Sequence, residues 1–286
     1  MNFVSFSDLY RDIEAWERQL PAFDAICGVP RSGMIPAAYL ALRRNIRLVA
    51  FNDLIQQPEG AIERAAVRSY NPAFGRPAGN RLLIVDDSVS DNGVTFKKLR
   101  GDLKDQKSLD ITYGAVYAAS KKNQADLYYR EVPMPRIFGW NWYRNWKLRT
   151  AMCDMDGVLC EDWKKRELNC DPDFEDHVAN VRPLFATQVP IHAIVTSRIE
   201  KYREGTVDWL NRHNIVYSHL FMHPAATAEE RQASHDHASR KATIYKASSS
   251  ASLFIESDVK QAAEIFKLTG KPVLCTDTMS MFKCED

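Results

Sequence analysis

Two short apolar segments of the sequence end abruptly on paired aspartates. "LLIVDD" at 82–87 continues into the polar stretch "SVSDNGVT" at 88–95, and "AMCDMDG" at 151–157 places two aspartates around a methionine. Such apolar runs between turn residues predict buried strands. Carboxylates at the end of a buried strand lie where α/β sheets bind their ligands. The sequence is therefore expected to build two ligand-binding sheet edges.

Strand and helix patterns alternate on both sides of residue 147. The expected strands are 23–29, 46–51, 81–87, 110–119, 149–156, 191–198, 252–258 and 271–277. The expected helices are 8–19, capped by Ser7, and 35–45, 94–106, 202–214 and 259–270. This order predicts the α/β class, with two doubly wound parallel-sheet domains in tandem at 1–147 and 148–286. Residues 52–80 contain no long apolar run, so we expect a mobile loop there with a short helix at 60–68.

The segment 82–95 has the features of a site for a sugar phosphate. Asp86 and Asp87 close the predicted strand, and two carboxylates suit the neighbouring hydroxyls of a sugar. The loop that follows can direct backbone N–H groups and hydroxyls at a phosphate, beside the N-terminus of the next helix. An ordinary strand, turn and helix with solvated acids is the alternative that these residues alone leave open.

The stretch "LLIVDDSVSDNGVT" resembles the phosphoribosyl pyrophosphate (PRPP) signature of the type I phosphoribosyltransferases, and "ICGVPRSGMIPA" at 26–37 resembles their pyrophosphate loop. The resemblance covers about 23–145. It implies transfer of phosphoribosyl from PRPP to a nucleobase-like acceptor, with Mg²⁺ bridging the pyrophosphate. The residues that it implies are Asp86 and Asp87 for the ribose hydroxyls, Ser88, Ser90, Asn92, Gly93 and Thr95 for the 5-phosphate, and Arg31, Ser32 and Gly33 for pyrophosphate.

The same resemblance gives the segment 52–80 the role of a flexible loop that closes over the ligands. Candidates to neutralise the leaving group there are Arg64, Arg68 and Arg76. The phosphate loop departs from the family pattern, because "SDNGVT" has one residue more than the family usually has and Asp91 stands where a phosphate would approach. A backbone bulge that absorbs the extra residue and an altered 5-phosphate site are the two alternatives.

The second aspartate pair suits a different chemistry. Asp154 and Asp156 lie two positions apart at a strand end, which places both side chains on one side of an extended backbone. Gly157 then allows the chain to turn away. Paired carboxylates can divide the work of hydrolysis, because one can attack the substrate while the other moves protons.

Four ordered motifs resemble those of the haloacid dehalogenase (HAD) superfamily of phosphatases: "DMDGVL" at 154–159, "AIVTSR" at 193–198, the lysine in "SRKATIY" and "LFIESD" at 253–258. The resemblance covers about 149–277 and leaves 161–185 as a small lid rather than a full cap domain. It implies an aspartyl-phosphate mechanism with Asp154 as the nucleophile, Asp156 as the general acid/base, Thr196 bonding the phosphoryl oxygens and Lys241 neutralising charge. The implied Mg²⁺ ligands are Asp154, Asp156, Glu256 and Asp258. Lys246 competes with Lys241 for the lysine role.

Two further segments have two interpretations each. The aromatic run at 138–146 is either a packed junction between the domains or a surface on which a base stacks, with Trp140 as the stacking residue. The segment "SHDHASRKA" at 234–242 is either a metal site or the start of a solvated helix.

Composition narrows the class of protein. The formal net charge is +1, so bulk attraction to nucleic acid or to an anionic membrane is not expected. No apolar run approaches the ~20 residues of a membrane-spanning helix, and the acidic, amphipathic N-terminus is unlike a signal peptide. The 6 cysteines form no C-x-x-C pair. These features predict a cytoplasmic protein without disulfides.

Together the two resemblances imply a bifunctional enzyme of nucleotide metabolism. Its first domain would make a nucleotide from PRPP and a base, and its second domain would remove the phosphate. One alternative is a PRPP- or nucleotide-sensing first domain that regulates the phosphatase, and another is a phosphatase of nucleic-acid ends. The sequence itself does not indicate an oligomeric state, but the first family often dimerises, and a homodimer is the assembly that this resemblance offers.

Overall fold

The computed structural model describes residues 1–65, 79–163, 171–185 and 187–284. Two compact units make up the chain, an N-terminal unit at Asn2–Arg136 and a C-terminal unit at Ile137–Asp286. This division falls ahead of the expected boundary between residues 147 and 148. Arg68 and Arg76 lie outside the described residues.

The N-terminal unit alternates strands with helices. The strands are β1 (Asn2–Val4), β2 (Ala25–Gly28), β3 (Arg47–Val49), β4 (Arg81–Val89), β5 (Asp110–Ala118) and β6 (Leu127–Glu131), with β7 (Arg136–Phe138) at the end of the unit. The helices are α1 (Phe6–Glu17), α2 (Met34–Arg44), α3 (Phe51–Gln56), α4 (Ala61–Arg64) and α5 (Val94–Asp102). Five of the strands form one sheet in the order β3-β2-β4-β5-β6, and every pair in it is parallel. The expectation of an α/β fold with parallel strands is confirmed.

Strand β4 occupies the centre of this sheet. Its residues 82–85 are completely buried, because a parallel sheet is covered on both faces and its central strands are apolar throughout. On one side Gly28 of β2 lies opposite Val85, and on the other side Asp86 lies opposite Ala115 of β5. The loops that follow β2 and β4 therefore emerge side by side at the carboxyl edge of the sheet.

Several predicted boundaries in the N-terminal unit are wrong. Ser5, not Ser7, caps α1, because the Ser5 hydroxyl accepts from the Asp8 amide at 3.1 Å while the Asp8 carboxylate accepts from the Ser5 amide at 3.0 Å. β4 continues beyond the two aspartates through Ser88 and Val89, since both still pair with β5. The expected strand at 46–51 and the expected helices at 94–106 and 60–68 are shorter, ending at Val49, Asp102 and Arg64.

The C-terminal unit contains a second, six-stranded sheet. Its strands are β8 (Ala151–Cys153), β9 (Ile191–Ile199), β10 (Tyr217–His223), β11 (Leu253–Glu256), β12 (Val273–Cys275) and β13 (Ser280–Phe282). Its helices are α6 (Asp171–Asn180), α7 (Arg203–Arg212), α8 (Ala228–Ser234), α9 (His237–Ala247) and α10 (Val259–Thr269). The strand order is β10-β9-β8-β11-β12-β13, and all neighbours are parallel except β13, which runs antiparallel to β12.

Aromatic side chains of the run at 138–146 pack against one another and against the lid segment. The Trp142 ring meets Phe185 edge-on at 4.8 Å, and only 2% of Trp142 is exposed. Trp140 stacks on Phe138 at 4.8 Å. All of these contacts lie within the C-terminal unit.

Other features follow from the described part of the chain. None of its helices combines the length and the apolar character needed to cross a membrane. Its cysteines are unpaired, and those at 27, 153, 160 and 275 are buried as small core residues.

Gly33 holds the loop after β2 against β4, which makes it a site for a test of stability. A Cβ at Gly33 would lie 2.6 Å from the Val85 carbonyl oxygen and 2.7 Å from that of Val29, so Gly33→Ala must displace backbone. We expect this substitution to lower the free energy of unfolding of the N-terminal unit by about 1–3 kcal/mol, measured by hydrogen exchange of the β4 amides.

Gly101→Ala is the matched control, because a Cβ there meets nothing within 4 Å and the residue lies in α5. An alanine in a helix is favoured over glycine by roughly 1 kcal/mol or less, so this variant should be slightly stabilised. Equal effects of the two substitutions would contradict the tight approach of Gly33 to β4.

Candidate active sites

The loop after β2 lies directly against the end of β4. The Val29 amide donates to the Val85 carbonyl at 2.9 Å, and a Cβ on Gly33 would come within 2.9 Å of the Asp86 Cα. The peptide bond between Pro30 and Arg31 is cis, and the Arg31 side chain is exposed. The structure therefore brings the segment 31–33, predicted to contact pyrophosphate, next to the aspartate pair.

Asp86 and Asp87 form a close pair of carboxyl groups. The Asp87 amide donates to the Asp86 carboxylate at 2.8 Å, and only 5% of Asp87 is exposed. Burial, together with repulsion from Asp87, raises the pKa of Asp86 to about 9. The Asp86–Asp87 pair therefore holds a proton more readily than two separate carboxyl groups would. Hydroxyls or a cation placed beside the pair would favour the charged form.

A cavity of about 220 Å³ opens beside this pair. The residues that line it are Asp86, Ser88, Val89, Ser90, Gly93, Val94, Thr95, Phe96 and Arg136. The cavity thus joins one acid of the pair to most of the residues predicted for the 5-phosphate. Asn92 is exposed and does not line it.

The loop at 88–95 turns tightly at Gly93, and Asp91 lies in that turn. The turn closes through the Gly93 amide, which donates to the Ser90 carbonyl at 3.0 Å, and Gly93 has a φ of 50° that favours glycine. The Asp91 carboxylate accepts a hydrogen bond from the Ser120 hydroxyl at 2.7 Å. Asp91 is not among the residues that line the cavity.

Arg136 is the cavity residue that the sequence patterns missed. It is 7% exposed, and it donates to the carbonyls of Val132 at 3.1 Å and Val89 at 3.0 Å. It comes from the start of β7, far along the chain from the PRPP-like motif. No local spacing rule connects the two, and only the sheet topology brings them together.

The strand register of the second sheet collects the residues of the other predicted site. Cys153 of β8 lies opposite Ile194 of β9 on one side and Ile255 of β11 on the other. Asp154 directly follows Cys153, and Glu256 directly follows Ile255. Thr196 lies two residues after Ile194. All three therefore reach the same carboxyl edge.

Lys241 connects the two acids of this edge. Its ammonium donates to Asp154 Oδ2 at 2.6 Å, to Glu256 Oε2 at 2.7 Å and to Gln261 Oε1 at 3.0 Å. Helix α9 carries Lys241, and 1% of the residue is exposed. Lys246, the competing lysine, instead donates to the Leu268 carbonyl at 3.4 Å on the surface.

Charge at this edge is not fully balanced by protein groups. Burial alone would lower the pKa of Lys241, but Asp154 and Glu256 outweigh it and raise that pKa. Burial and repulsion from Asp154 raise the pKa of Glu256 to about 7, although Lys241 opposes the shift. Asp154 and Glu256 share the single ammonium of Lys241, so this cluster of three residues can accommodate a further positive charge.

Asp156 lies apart from that cluster, in an ion pair with Arg198. Arg198 donates from Nε to Asp156 Oδ2 at 2.9 Å and from Nη2 to Oδ1 at 2.6 Å, and His177 Nε2 lies 3.3 Å from Oδ1. Burial would raise the pKa of Asp156, but Arg198 and His177 more than reverse this and hold it well below its usual range. Asp156 is therefore charged at neutral pH.

Sequence patterns did not single out Arg198 or His177. Arg198 lies two residues after Thr196 on β9, which places both on the same side of the strand. This two-residue spacing from Thr196 could have identified Arg198 from the sequence. His177 lies on α6 in the lid segment, where its ring packs beside Trp163 at 5.0 Å and Phe174 at 5.7 Å. Nothing in the local sequence marks it.

The four predicted metal ligands do not gather into one cluster. Asp154 and Glu256 meet at Lys241, both oxygens of Asp156 are bonded to Arg198, and Asp258 caps α10 through the amides of Lys260 and Gln261. Within the described ranges, no three His, Cys, Asp or Glu side chains are arranged to hold a metal ion. In the segment 234–242, Asp236 bonds His223 and His237 bonds the Ser197 hydroxyl.

Comparison with known proteins finds relatives of part of the chain. The xanthine-guanine phosphoribosyltransferase of Idiomarina loihiensis is 33% identical over 112 residues, which are 38% of this chain and 68% of that protein. Among solved structures, a Helicobacter pylori xanthine-guanine-hypoxanthine phosphoribosyltransferase has 17% identity and a TM-score of 0.35, covering 49% of this chain and 92% of its own. A purine phosphoribosyltransferase from Pyrococcus horikoshii has 20% identity and a TM-score of 0.33 over 49% and 92% of the two chains. No family model matches the chain.

The raised pKa of Asp86 predicts how stability depends on pH. Between the usual carboxyl pKa near ~4 and about 9, the folded state holds a proton that the unfolded state has lost, so stability falls as pH rises through this range. Asp86→Asn removes the titrating carboxyl group, and with it the fall in stability at high pH. We expect the variant to gain stability over the wild type, more at pH ~8.5 than at pH ~5, measured without Mg²⁺ by hydrogen exchange of the β4 amides.

Asp105→Asn, at an exposed position of the same unit, serves as the control and should leave the pH dependence unchanged. A constant difference between Asp86→Asn and wild type at all pH values would show that Asp86 carries no raised pKa.

Proposed function

Because the chain belongs to the phosphoribosyltransferase family through its N-terminal half, we propose that it is a two-step enzyme of nucleotide metabolism. The N-terminal unit transfers phosphoribosyl from PRPP to a nucleobase-like acceptor and releases pyrophosphate. The C-terminal unit, a HAD-type phosphatase, hydrolyses the phosphate monoester that results. The boundary between the two activities lies between Arg136 and residue 148.

The observation that carries the first step is the cavity at the end of β4. It combines a carboxyl group, three hydroxyl side chains and the start of α5, which together suit a sugar phosphate. Asp86 and Asp87 hold the ribose hydroxyls, and the hydroxyls of Ser88, Ser90 and Thr95 hold the 5-phosphate. The neighbouring segment 31–33 faces the pyrophosphate.

The name of the relative from Idiomarina loihiensis suggests an acceptor to test first. That protein is a xanthine-guanine phosphoribosyltransferase. A purine base is therefore the acceptor that we propose for this chain. In the reaction a ring nitrogen of the base bonds C1 of the ribose as pyrophosphate leaves, and closing the site against water protects the reacting carbon.

The second step rests on the contact between Asp154 and Lys241. A charged carboxylate held 2.6 Å from a buried ammonium is fixed in position and supplies an attacking oxygen. Asp154 bonds phosphorus while the sugar oxygen leaves, and water then hydrolyses the aspartyl-phosphate. Lys241 stabilises the charge on the phosphoryl oxygens, with Thr196 at the same edge.

Asp156 suits the hydrolytic half of this reaction. Arg198 keeps its carboxylate charged, so it can accept the proton of the attacking water. The lid helix α6 reaches the same carboxylate through His177. Asp156 is thus oriented from two sides by groups that do not touch Asp154.

A divalent cation fits the C-terminal site by charge and by donor type. Asp154 and Glu256 are the residues that would hold Mg²⁺, because hard carboxylate oxygens are its usual ligands and these two share the single ammonium of Lys241. The ion would neutralise charge on the phosphoryl group. In the N-terminal unit, Mg²⁺ would accompany the pyrophosphate of PRPP.

Removal of the nucleophile should separate the two activities. We expect Asp154→Asn to lower phosphate release from nucleoside monophosphates by about 1,000-fold or more, because no aspartyl-phosphate can form. PRPP binding, measured by calorimetry, should be unchanged. Asp277→Asn, at an exposed position of the same unit, is the control and should keep full activity. Full activity of Asp154→Asn would rule out the proposed phosphatase mechanism.

The decisive experiment uses the Asp154→Ala protein, in which a nucleotide product is not dephosphorylated. The protein is incubated with Mg²⁺, PRPP and a pool of purine and pyrimidine bases, and new nucleotides and pyrophosphate are detected by mass spectrometry. We expect a purine nucleotide from the variant and the corresponding nucleoside from the wild type. PRPP binding without any product would favour a sensor that regulates the phosphatase. Absence of both binding and product would contradict the proposed first step.

A further inference from the structure

Arg136 lines the cavity of the N-terminal unit, although no sequence motif includes it. It is a buried cation, 7% exposed, among the hydroxyls of Ser88, Ser90 and Thr95. Hydrogen bonds to the carbonyls of Val89 and Val132 fix its guanidinium at the end of β4. A fixed guanidinium beside hydroxyls and a helix start is an arrangement suited to a phosphate group.

Arg136 offsets two nearby carboxylates that would otherwise repel an anionic ligand. Burial lowers the pKa of Arg136, and the nearby carboxylates of Asp87 and Asp91 oppose that shift. A phosphate would add charge-assisted hydrogen bonds to those that Arg136 already makes with the protein.

From these observations we propose that Arg136 is a binding residue for the phosphate of a sugar phosphate in this cavity. It also offsets the acid that the longer loop introduces, because Asp91 belongs to that loop and acts electrostatically on Arg136. Arg136 thus reduces the repulsion that Asp87 and Asp91 would exert on a phosphate. This inference rests on the proposed function of the N-terminal unit.

The test compares ribose 5-phosphate with pyrophosphate as ligands, both measured by calorimetry on the full chain. Arg136→Gln should weaken the binding of ribose 5-phosphate and of PRPP about tenfold or more, because a charged hydrogen bond to the phosphate is lost. The affinity for pyrophosphate alone should change less than about twofold, since the segment 31–33 does not include Arg136. Arg136→Lys, which keeps the charge, should retain most of the ribose 5-phosphate affinity.

A second substitution tests whether Arg136 offsets the charge of Asp91. Asp91→Asn should bind ribose 5-phosphate as tightly as the wild type or more tightly. The double variant Asp91→Asn with Arg136→Gln should recover part of the affinity that Arg136→Gln loses, because the uncompensated acid is gone. Strict additivity of the two substitutions would overturn the compensation.

A measurement on the wild type covers the case in which Arg136→Gln fails to fold. The side-chain Nε–H signal of Arg136, assigned by its loss in Arg136→Lys, should shift in NMR spectra on addition of ribose 5-phosphate and not of pyrophosphate. An unmoved signal, or an Arg136→Gln protein that binds ribose 5-phosphate like the wild type, would overturn the role of Arg136 alone. A wild type that binds neither PRPP nor ribose 5-phosphate would overturn the proposed function as well.

Discussion

Carboxylates taken out of water at the ends of parallel strands are the constraint on which both halves of the structure depend. Removing such a group from water costs several kcal/mol, at about the scale of a domain's whole stability, unless it gains a partner or a proton. The two sheet edges meet this cost differently. Burial beside Asp87 raises the pKa of Asp86, whereas Asp154 and Asp156 form ion pairs with Lys241 and Arg198.

This difference separates the chemistry of the two edges. A protonated pair is poised to become charged when hydroxyls or a cation arrive, so the first edge suits ligand binding. A carboxylate paired with an ammonium is fixed in position before any substrate binds, which is the property that the proposed nucleophilic attack requires. Each sheet places acids at the carboxyl ends of parallel strands. The groups that bond to these acids determine what each edge can do.

Much of the architecture was predictable, because apolar runs and strand ends are local features. The parallel α/β pattern, the acid pairs and the turn at Gly157, with a φ of 80°, all follow from neighbours in the sequence. The strands β10 and β13 were missed because edge strands are half-exposed and carry no continuous apolar run. β4 is longer than predicted, since its pairing with β5 keeps polar residues in the ladder.

The residues missed at the two sites share one physical cause. Arg136, Arg198 and His177 are each positioned by tertiary structure, from the start of β7, from β9 and from the lid helix α6. A sequence motif identifies an acid at a strand end, because the acid directly follows the apolar residues of its strand. The partner that decides whether the acid holds a proton, a charge or a ligand comes from another element. In this chain the chemistry of each edge is therefore set by pairings between elements that lie far apart in the sequence.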